Sequence, residues 1–290
     1  MNQPMFRPPA EADSLILQID RGCPHNSCTF CGMYNATKYF CRPLPEVIKL
    51  IDVESRHYPG ARRVFLADGD VFARPFEELR LILQALNNVF PRVSRINLYA
   101  NGSSIAAKSA EQLLVLRRLR LHTLYMGLES GSEEILRNCR KRESAAQMVR
   151  AGVMAREAGL RMSVMVLLGL GGVDGSGSHI DATVAALNEM QPRLLSALRV
   201  VPVPGTVLHQ QVQDGRFQQL SERGVVEELR GIIAGLELDG TVFRANHSSN
   251  VVPLEGRLPH DKQTMLALLE RLLASGRLDP DTPGPLPLWL

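Results

Sequence analysis

Nine residues near the N-terminus carry the chemistry: Cys23-Pro24-His25-Asn26-Ser27-Cys28-Thr29-Phe30-Cys31. Cysteine thiolates at short spacings hold iron–sulfur clusters, and three of them can ligate three corners of a four-iron cluster. The fourth iron then stays open to an outside ligand, which a reaction centre needs and a closed structural site avoids. Structural zinc is the rival, because a Cys-x2-Cys spacing also suits a tetrahedral ion. Its fourth ligand would come from His25 inside the loop or from Cys41. A disulfide framework does not fit, since five cysteines are an odd number and no leader segment is recognisable. Cys139 reads as a bystander on a helix.

The elements that must position this loop alternate along the chain. Apolar or β-branched runs fall at Leu15–Ile19, Val64–Ala67, Ile96–Ala100, Thr123–Leu128, Ser163–Leu168 and Leu198–Val203. Helical spacing lies between them: Leu79, Ile82, Leu83 and Leu86 form one stripe, and Leu113, Leu114, Leu116 and Leu119 another. Glu133–Asn138, Ala145–Glu157 and Ala182–Met190 continue the pattern, and two further helical stretches, Ser221–Leu236 and Lys262–Leu273, precede a Pro-rich tail from Asp279. Strands separated by helices imply parallel pairing and right-handed crossovers, hence an α/β fold of the open (β/α)6 partial-barrel type. The expected division is an N-terminal extension (1–14), a core barrel (15–206) and a helical C-terminal extension (207–290), packed as one structural unit.

Arg21-Gly22-Cys23 through Cys28-Thr29-Phe30-Cys31-Gly32-Met33-Tyr34 resembles the cluster motif of radical S-adenosylmethionine (radical SAM) enzymes. The commonest form there is Cys-x3-Cys-x2-Cys with an aromatic before the last cysteine; this chain has Cys-x4-Cys-x2-Cys. The resemblance runs from about Leu15 to about Asp261, and its core is like that of elongator, methylthiotransferase and nitrogenase-maturase enzymes. It implies a single [4Fe-4S] cluster held by Cys23, Cys28 and Cys31, with S-adenosylmethionine on the open iron. One electron from the reduced cluster would cleave the cofactor to a 5′-deoxyadenosyl radical, which takes a hydrogen atom from substrate. Such a centre is oxygen-sensitive and needs a reductant such as flavodoxin or ferredoxin.

In α/β barrels the chemistry gathers in the loops after the strands. Ala67-Asp68-Gly69-Asp70 resembles the turn that meets the cofactor's ammonium group, with Gly69 allowing close backbone approach; an ordinary capped turn reads the same way. Glu129 ends an apolar strand, where a carboxylate is costly unless paired. It resembles a polar cofactor contact, and its alternative is a salt bridge to Arg161 or Arg199. Asn97 and Asn101 are candidates for ribose hydroxyls, although Asn101 before Gly102 also suits a helix cap. Leu168 to Gly172, with Gly169 and Gly171, resembles the adenine-contacting segment. Phe30 would shield the cluster, and Gly32 and Met33 would offer backbone to adenine. Met162 and Met165 read as core filler. For catalysis the candidates are Arg199, charged among apolar residues, and His247 in the polar loop Arg244–Asn250, which could equally be a self-bonded turn. The basic run Arg137–Arg142 reads as a solvated helix end.

Thirty-three basic against thirty acidic residues leave +3, too balanced to point to nucleic acid. No apolar stretch approaches the ~20 residues of a membrane span. Bare thiols suit a reducing cytoplasm. The leading expectation is a radical SAM enzyme with a small-molecule substrate. The alternatives are a cluster carrier that never cleaves the cofactor, a coproporphyrinogen-oxidase-like enzyme, and an RNA-modifying enzyme, against which no second cysteine trio or basic tail is evident.

Overall fold

The apolar runs become strands of a mostly parallel eight-stranded sheet in the computed structural model, which describes residues 6–285. In chain order the elements are β1 (Leu15–Gln18), β2 (Asp20–Arg21), β3 (Phe40–Cys41), α1 (Leu44–His57), β4 (Arg63–Ala67), α2 (Phe76–Val89), β5 (Arg95–Tyr99), α3 (Gly102–Ala106), α4 (Ala110–Arg118) and β6 (Leu121–Glu129). There follow α5 (Glu133–Asn138), α6 (Ala145–Glu157), β7 (Arg161–Leu168), α7 (Gly172–Met190), β8 (Leu194–Arg199), α8 (Val207–Gln213), α9 (Glu222–Gly235), β9 (Thr241–Arg244), β10 (Glu255–Leu258) and α10 (Lys262–Ala274). β2 and β3 form a separate two-stranded pair. Among the described residues, no helix is long and apolar enough to cross a membrane.

The chain divides into two compact units, the first holding residues up to 26, 33–126 and 150–162, the second 27–32, 127–149 and 163 onward. In the first, β1, β4, β5 and the start of β6 pair in parallel, with Leu17 opposite Leu66, Leu66 opposite Leu98 and Leu98 opposite Leu124. Val64 to Ala67 are all fully buried, the continuous pattern of a parallel strand covered on both faces. The stripe Leu79, Ile82, Leu83 and Leu86 is the buried side of α2, which starts after Pro75 with Glu77 and Glu78 in its first turn. In α4 the buried positions are Leu113 and Leu116, while Leu114 is exposed. Ser109 and Gln112 cap that helix reciprocally.

One sheet face of this unit is aromatic and polar. Phe65, Tyr99 and Tyr125 meet edge-on, with centroids 5.1 to 6.2 Å apart. Beside them sits Glu11, only 3% exposed, from the segment before β1. It accepts from Ser14 Oγ at 2.6 Å, Asn97 Nδ2 at 2.9 Å and the Tyr125 hydroxyl.

In the second unit β7 and β8 run parallel, β9 joins β8 in parallel, and β10 returns antiparallel to β9. β8 lies four residues earlier than the run Leu198–Val203 suggests, at Leu194–Arg199. Pro202 and Pro204 have no N–H to give a ladder, whereas Leu195, Ala197 and Arg199 alternate as buried residues. The C-terminal segment contains β9 and β10 besides its helices, since four-residue strands leave too little periodicity to notice. Helix α7 begins at Gly172, well before the stripe at Ala182. Gly175 and Gly177 disfavour helix locally, and tertiary contacts override them.

Glu11→Ala leaves the Asn97 amide and the Tyr125 hydroxyl buried without their acceptor. The expected loss is about 1–3 kcal/mol of stability, read from the urea midpoint of E11A against wild type; an unchanged midpoint would contradict this role.

Candidate functional site

The base of the cysteine loop is tied by a buried arginine. The chain enters through β2 and returns through β3, with Asp20 opposite Cys41 and Arg21 opposite Phe40. Arg74 donates to Asp20 Oδ1 at 2.5 Å and Oδ2 at 3.3 Å, to the carbonyls of Ile19 at 3.2 Å and Arg42 at 2.7 Å, and to Glu78 Oε2 at 2.8 Å. A guanidinium's fixed fork suits such a multiply bonded clamp. Cys41 is exposed on the closing strand, and all five cysteines are outside disulfides.

Asp68 ties the loop to the sheet. Its carboxylate accepts from Tyr34 Oη at 3.0 Å, Gln18 Nε2 at 2.9 Å and the Gly22 N–H at 3.4 Å. Burial, then the neighbouring Asp68 charge, pushes the Tyr34 hydroxyl far above its ordinary range. Gly69 lies against the loop itself: a Cβ there would press on the Gly22 carbonyl and sit 2.7 Å from Cys23 Cα. Only glycine allows that approach. Asp70 is 2% exposed and accepts from Asn101 Nδ2 at 3.1 Å. Asn101 is the N-cap of α3, its N–H received by Ser104 Oγ at 2.9 Å. Asn97 has its amide engaged on both sides, by Glu11 and by the Thr123 N–H at 2.9 Å. The Met33 side chain is exposed.

Cys28 and Cys31 belong to the second unit. The strand of loop between them is sewn in place: the Thr29 N–H donates to the Cys139 carbonyl at 2.9 Å, and the Leu208 N–H donates to the Thr29 carbonyl at 2.9 Å. Phe30 packs on Ile135, Cys139, Leu170, Val200 and Leu208. A Cβ on Gly32 would lie 2.8 Å from Val203 Cγ1. Cys139 is therefore part of the loop's support; burial pushes its thiol up to about 11.

Glu129 is the centre of this unit's polar chemistry. It ends β6 at φ +63°, a left-handed conformation that is costly for a side-chain-bearing residue. Its carboxylate folds back over Gly127, where a Cβ would stand 2.8 Å from Glu129 Cδ. Oε1 accepts from Lys141 Nζ at 3.2 Å, and both side chains are 8% exposed. Oε2 is buried with no hydrogen-bond partner among the described residues. The partner is thus Lys141, neither Arg161 nor Arg199. Arg199 instead donates to the carbonyls of Pro283 and, at 3.0 Å, Pro285.

Lys141 was concealed within the run Arg137–Arg142. α5 ends at Asn138, and Arg140, at φ +54°, reverses the chain so that Lys141 turns inward, its N–H bonded to the Leu136 carbonyl at 2.9 Å. Burial would lower its ammonium, but Glu129 outweighs that and holds it above the ordinary lysine value, with Cys28 adding to the pull. No spacing in the sequence signals this inward turn.

Gly169, at φ +78°, donates its N–H to Glu228 Oε1 at 2.6 Å, and a Cβ on Gly171 would meet Ile135 Cδ1 at 2.8 Å. His247 is bonded within its own turn, Nδ1 lying 2.9 Å from Ser249 Oγ and accepting the Ser249 N–H at 3.1 Å. Asn250 fastens that turn to β8, accepting the Arg199 N–H at 2.7 Å and donating to the Ala197 carbonyl at 2.8 Å.

A parallel α/β fold with three thiols in its first strand-to-helix loop suits an iron–sulfur enzyme, and comparison with known proteins makes the class specific. Residues 17–176 match the family model of the radical SAM superfamily, and the chain belongs to that superfamily. It is similar to the heme chaperone HemW of Bacillus subtilis (strain 168), 20% identical over 227 residues that cover 75% of this chain and 58% of HemW. Among solved structures it resembles coproporphyrinogen III oxidase (HemN) of Escherichia coli, a radical SAM enzyme, with a TM-score of 0.58, 18% identity and coverage of 76% of this chain and 51% of that one. Methylornithine synthase (PylB) aligns with a TM-score of 0.53 and 16% identity over 94% of this chain and 83% of PylB. The chain spans less than two thirds of the length of HemW and of HemN. The superfamily's cofactors are a [4Fe-4S] cluster and S-adenosylmethionine. The residues present fit both: three thiols outside disulfides in one loop, a glycine cradle at Cys23, and an unpartnered carboxylate oxygen on Glu129.

Two outcomes follow. Lys141→Met leaves Glu129 buried without its cation and costs about 3–5 kcal/mol; Glu129→Gln added to it restores most of that, measured by denaturation of both variants. Gly69→Ala displaces Cys23 and lowers bound iron after anaerobic reconstitution while circular dichroism stays unchanged; wild-type iron content in G69A would contradict the cradle.

Proposed function

We propose that this chain is a radical SAM enzyme in which Cys23, Cys28 and Cys31 hold a [4Fe-4S] cluster and that it acts on a small molecule. The observation that carries the reading is Glu129, a buried carboxylate held at positive φ with one oxygen lacking a partner beside an inward lysine. A buried polar atom left unmatched is costly and calls for a partner. The ammonium and hydroxyl groups of S-adenosylmethionine are donors of the kind Oε2 lacks. Lys141 offers the complementary charge for a carboxylate. When bound, cluster and cofactor together supply a primary carbon radical that removes hydrogen from substrate.

This chain's own residues bind, orient and exclude water. Gly69 brings the backbone of the Ala67–Asp70 turn against Cys23, as an ammonium-binding turn requires. Asp68 spends its carboxylate on Tyr34, Gln18 and Gly22, so this turn would offer its carbonyls. Asn101, bonded to Asp70, is the better candidate for a ribose hydroxyl, because Asn97 has its amide engaged on both sides. Phe30 covers the loop on its apolar side, Gly32 and Met33 offer backbone, and Gly169 and Gly171 shape the segment for the base. Residues 15–206 would form the core, with 1–14 and 207–290 as extensions. Flavodoxin or ferredoxin would supply electrons, in the reducing cytoplasm that suits five thiols.

A second reading, a tetrapyrrole ligand, is favoured by the similarity to HemW and HemN. Against a carboxylate-rich substrate held by Arg199, that guanidinium is engaged by backbone carbonyls.

The test is anaerobic reconstitution, reduction with dithionite, addition of S-adenosylmethionine and chromatography for 5′-deoxyadenosine, with a Cys28→Ala, Cys31→Ala control. Cysteine-dependent 5′-deoxyadenosine is expected. A reducible cluster that never cleaves the cofactor would make the protein a carrier, and zinc in place of iron would overturn the reading. A Soret band shift on titrating heme into the protein would favour the tetrapyrrole ligand.

A further inference from the structure

We propose that Glu228 and His179 are positioning residues that join the loop after β6 and the loop after β7 into one frame for the cofactor. This rests on the reading of Glu129 and Gly169 as cofactor contacts.

The contacts are largely buried and connect through α7, since His179 Nε2 makes no hydrogen bond among the described residues. Glu228 on α9 is 1% exposed, and His179 and Thr183 on α7 and Ser130 after β6 are each 0% exposed. Glu228 Oε1 accepts the Gly169 N–H at 2.6 Å and lies 3.7 Å from His179 Nε2; Oε2 bonds Ser176 Oγ at 2.5 Å. On the other side of the ring, His179 Nδ1 meets Ser130 Oγ at 2.8 Å. Ser130 Oγ in turn accepts the Ser132 N–H at 3.0 Å, and Thr183 Oγ1 accepts the Gly131 N–H at 2.9 Å. Ser176, His179 and Thr183 recur at helical spacing, so one face of α7 reaches both loops.

Helix packing alone does not explain these residues. The other buried positions of α9 are Val225, Val226, Leu229, Ile232 and Ile233, and an apolar residue in place of Glu228 would continue that stripe. A carboxylate and an imidazole buried in such a seam are costly unless they meet specific partners. Here the partners are backbone groups of the two loops: the N–H of Gly169, and, through Ser130 and Thr183, the turn directly after Glu129. Burial pushes Glu228 up to about 7 against the opposing hydrogen bonds from Ser176 and the Gly169 N–H, and pushes His179 down to about 4, so the imidazole is neutral near pH 7. Neither residue is placed to touch the cofactor, and each acts through the backbone it holds.

The test compares reconstituted wild type, Glu228→Gln, Ser130→Ala and the double variant, with Val226→Ala as a packing control on the same helix. Three readouts are taken: iron content, S-adenosylmethionine affinity, and hydrogen exchange of peptides covering 127–132 and 168–172. E228Q is expected to keep its iron, lose about tenfold in affinity, and exchange faster in both peptides. S130A should do the same, and the double variant should add little to either. V226A should lower stability without changing affinity. Wild-type affinity in E228Q, or an affinity loss in V226A as large as in E228Q, would overturn the proposal. If wild type itself binds no S-adenosylmethionine, the reading of the site fails, and exchange still decides the frame: faster exchange confined to 168–172 ends it, faster exchange in both peptides keeps it.

Discussion

A carboxylate that the fold buries and only half satisfies is the constraint around which the second unit is arranged. Glu129 reaches its position by three concessions: a left-handed backbone, a glycine two residues earlier to make room, and a lysine turned in from a basic run. Each costs free energy. Strain and unmatched polar atoms of this kind gather where a ligand completes the set. The same lysine feels Cys28, so one cation is shared between the strand end and the cysteine loop. The loop's own supports, the Thr29 bonds and the Phe30 packing, keep Cys28 and Cys31 fixed beside it.

The first unit answers a different problem, how to hold a long excursion of chain at its base. Arg74 and Asp20 close the loop where it leaves and rejoins the sheet, and Asp68 binds it partway along. Arg74 and Asp68 are buried charges that each meet several hydrogen-bond partners, the condition under which such groups favour a unique geometry. Gly69 then sets how near the second strand's turn comes to Cys23.

Much of this was legible in the sequence. The cysteine spacing, the buried runs of β4 to β7, the stripe of α2 and the spans of α5 and α6 are local signals, and local signals survive folding. What was not legible depended on tertiary context. Lys141 turns inward because of one residue in left-handed conformation; β8 slides back because prolines interrupt its apolar run; α7 continues through glycines because Ser176 and His179 have partners on other elements. Nothing local in the sequence marks Glu11 or Glu228, whose donors come from distant elements. Arg199, a charge among apolar residues, is bonded to backbone carbonyls, and His247, in a polar loop, is bonded within its own turn. A charge's role is set by what faces it, and facing is the part of the fold that one sequence encodes least directly.

On the proposed reading the cysteine loop holds an iron–sulfur cluster with one iron left open for S-adenosylmethionine. Mössbauer spectroscopy of protein reconstituted with iron-57, recorded before and after adding S-adenosylmethionine, tests it most directly. The expected spectrum is that of a four-iron cluster in which one iron site alone changes its parameters on addition, with no such change in E129A. A spectrum indifferent to the cofactor, or a protein that takes up zinc and no iron, would contradict it.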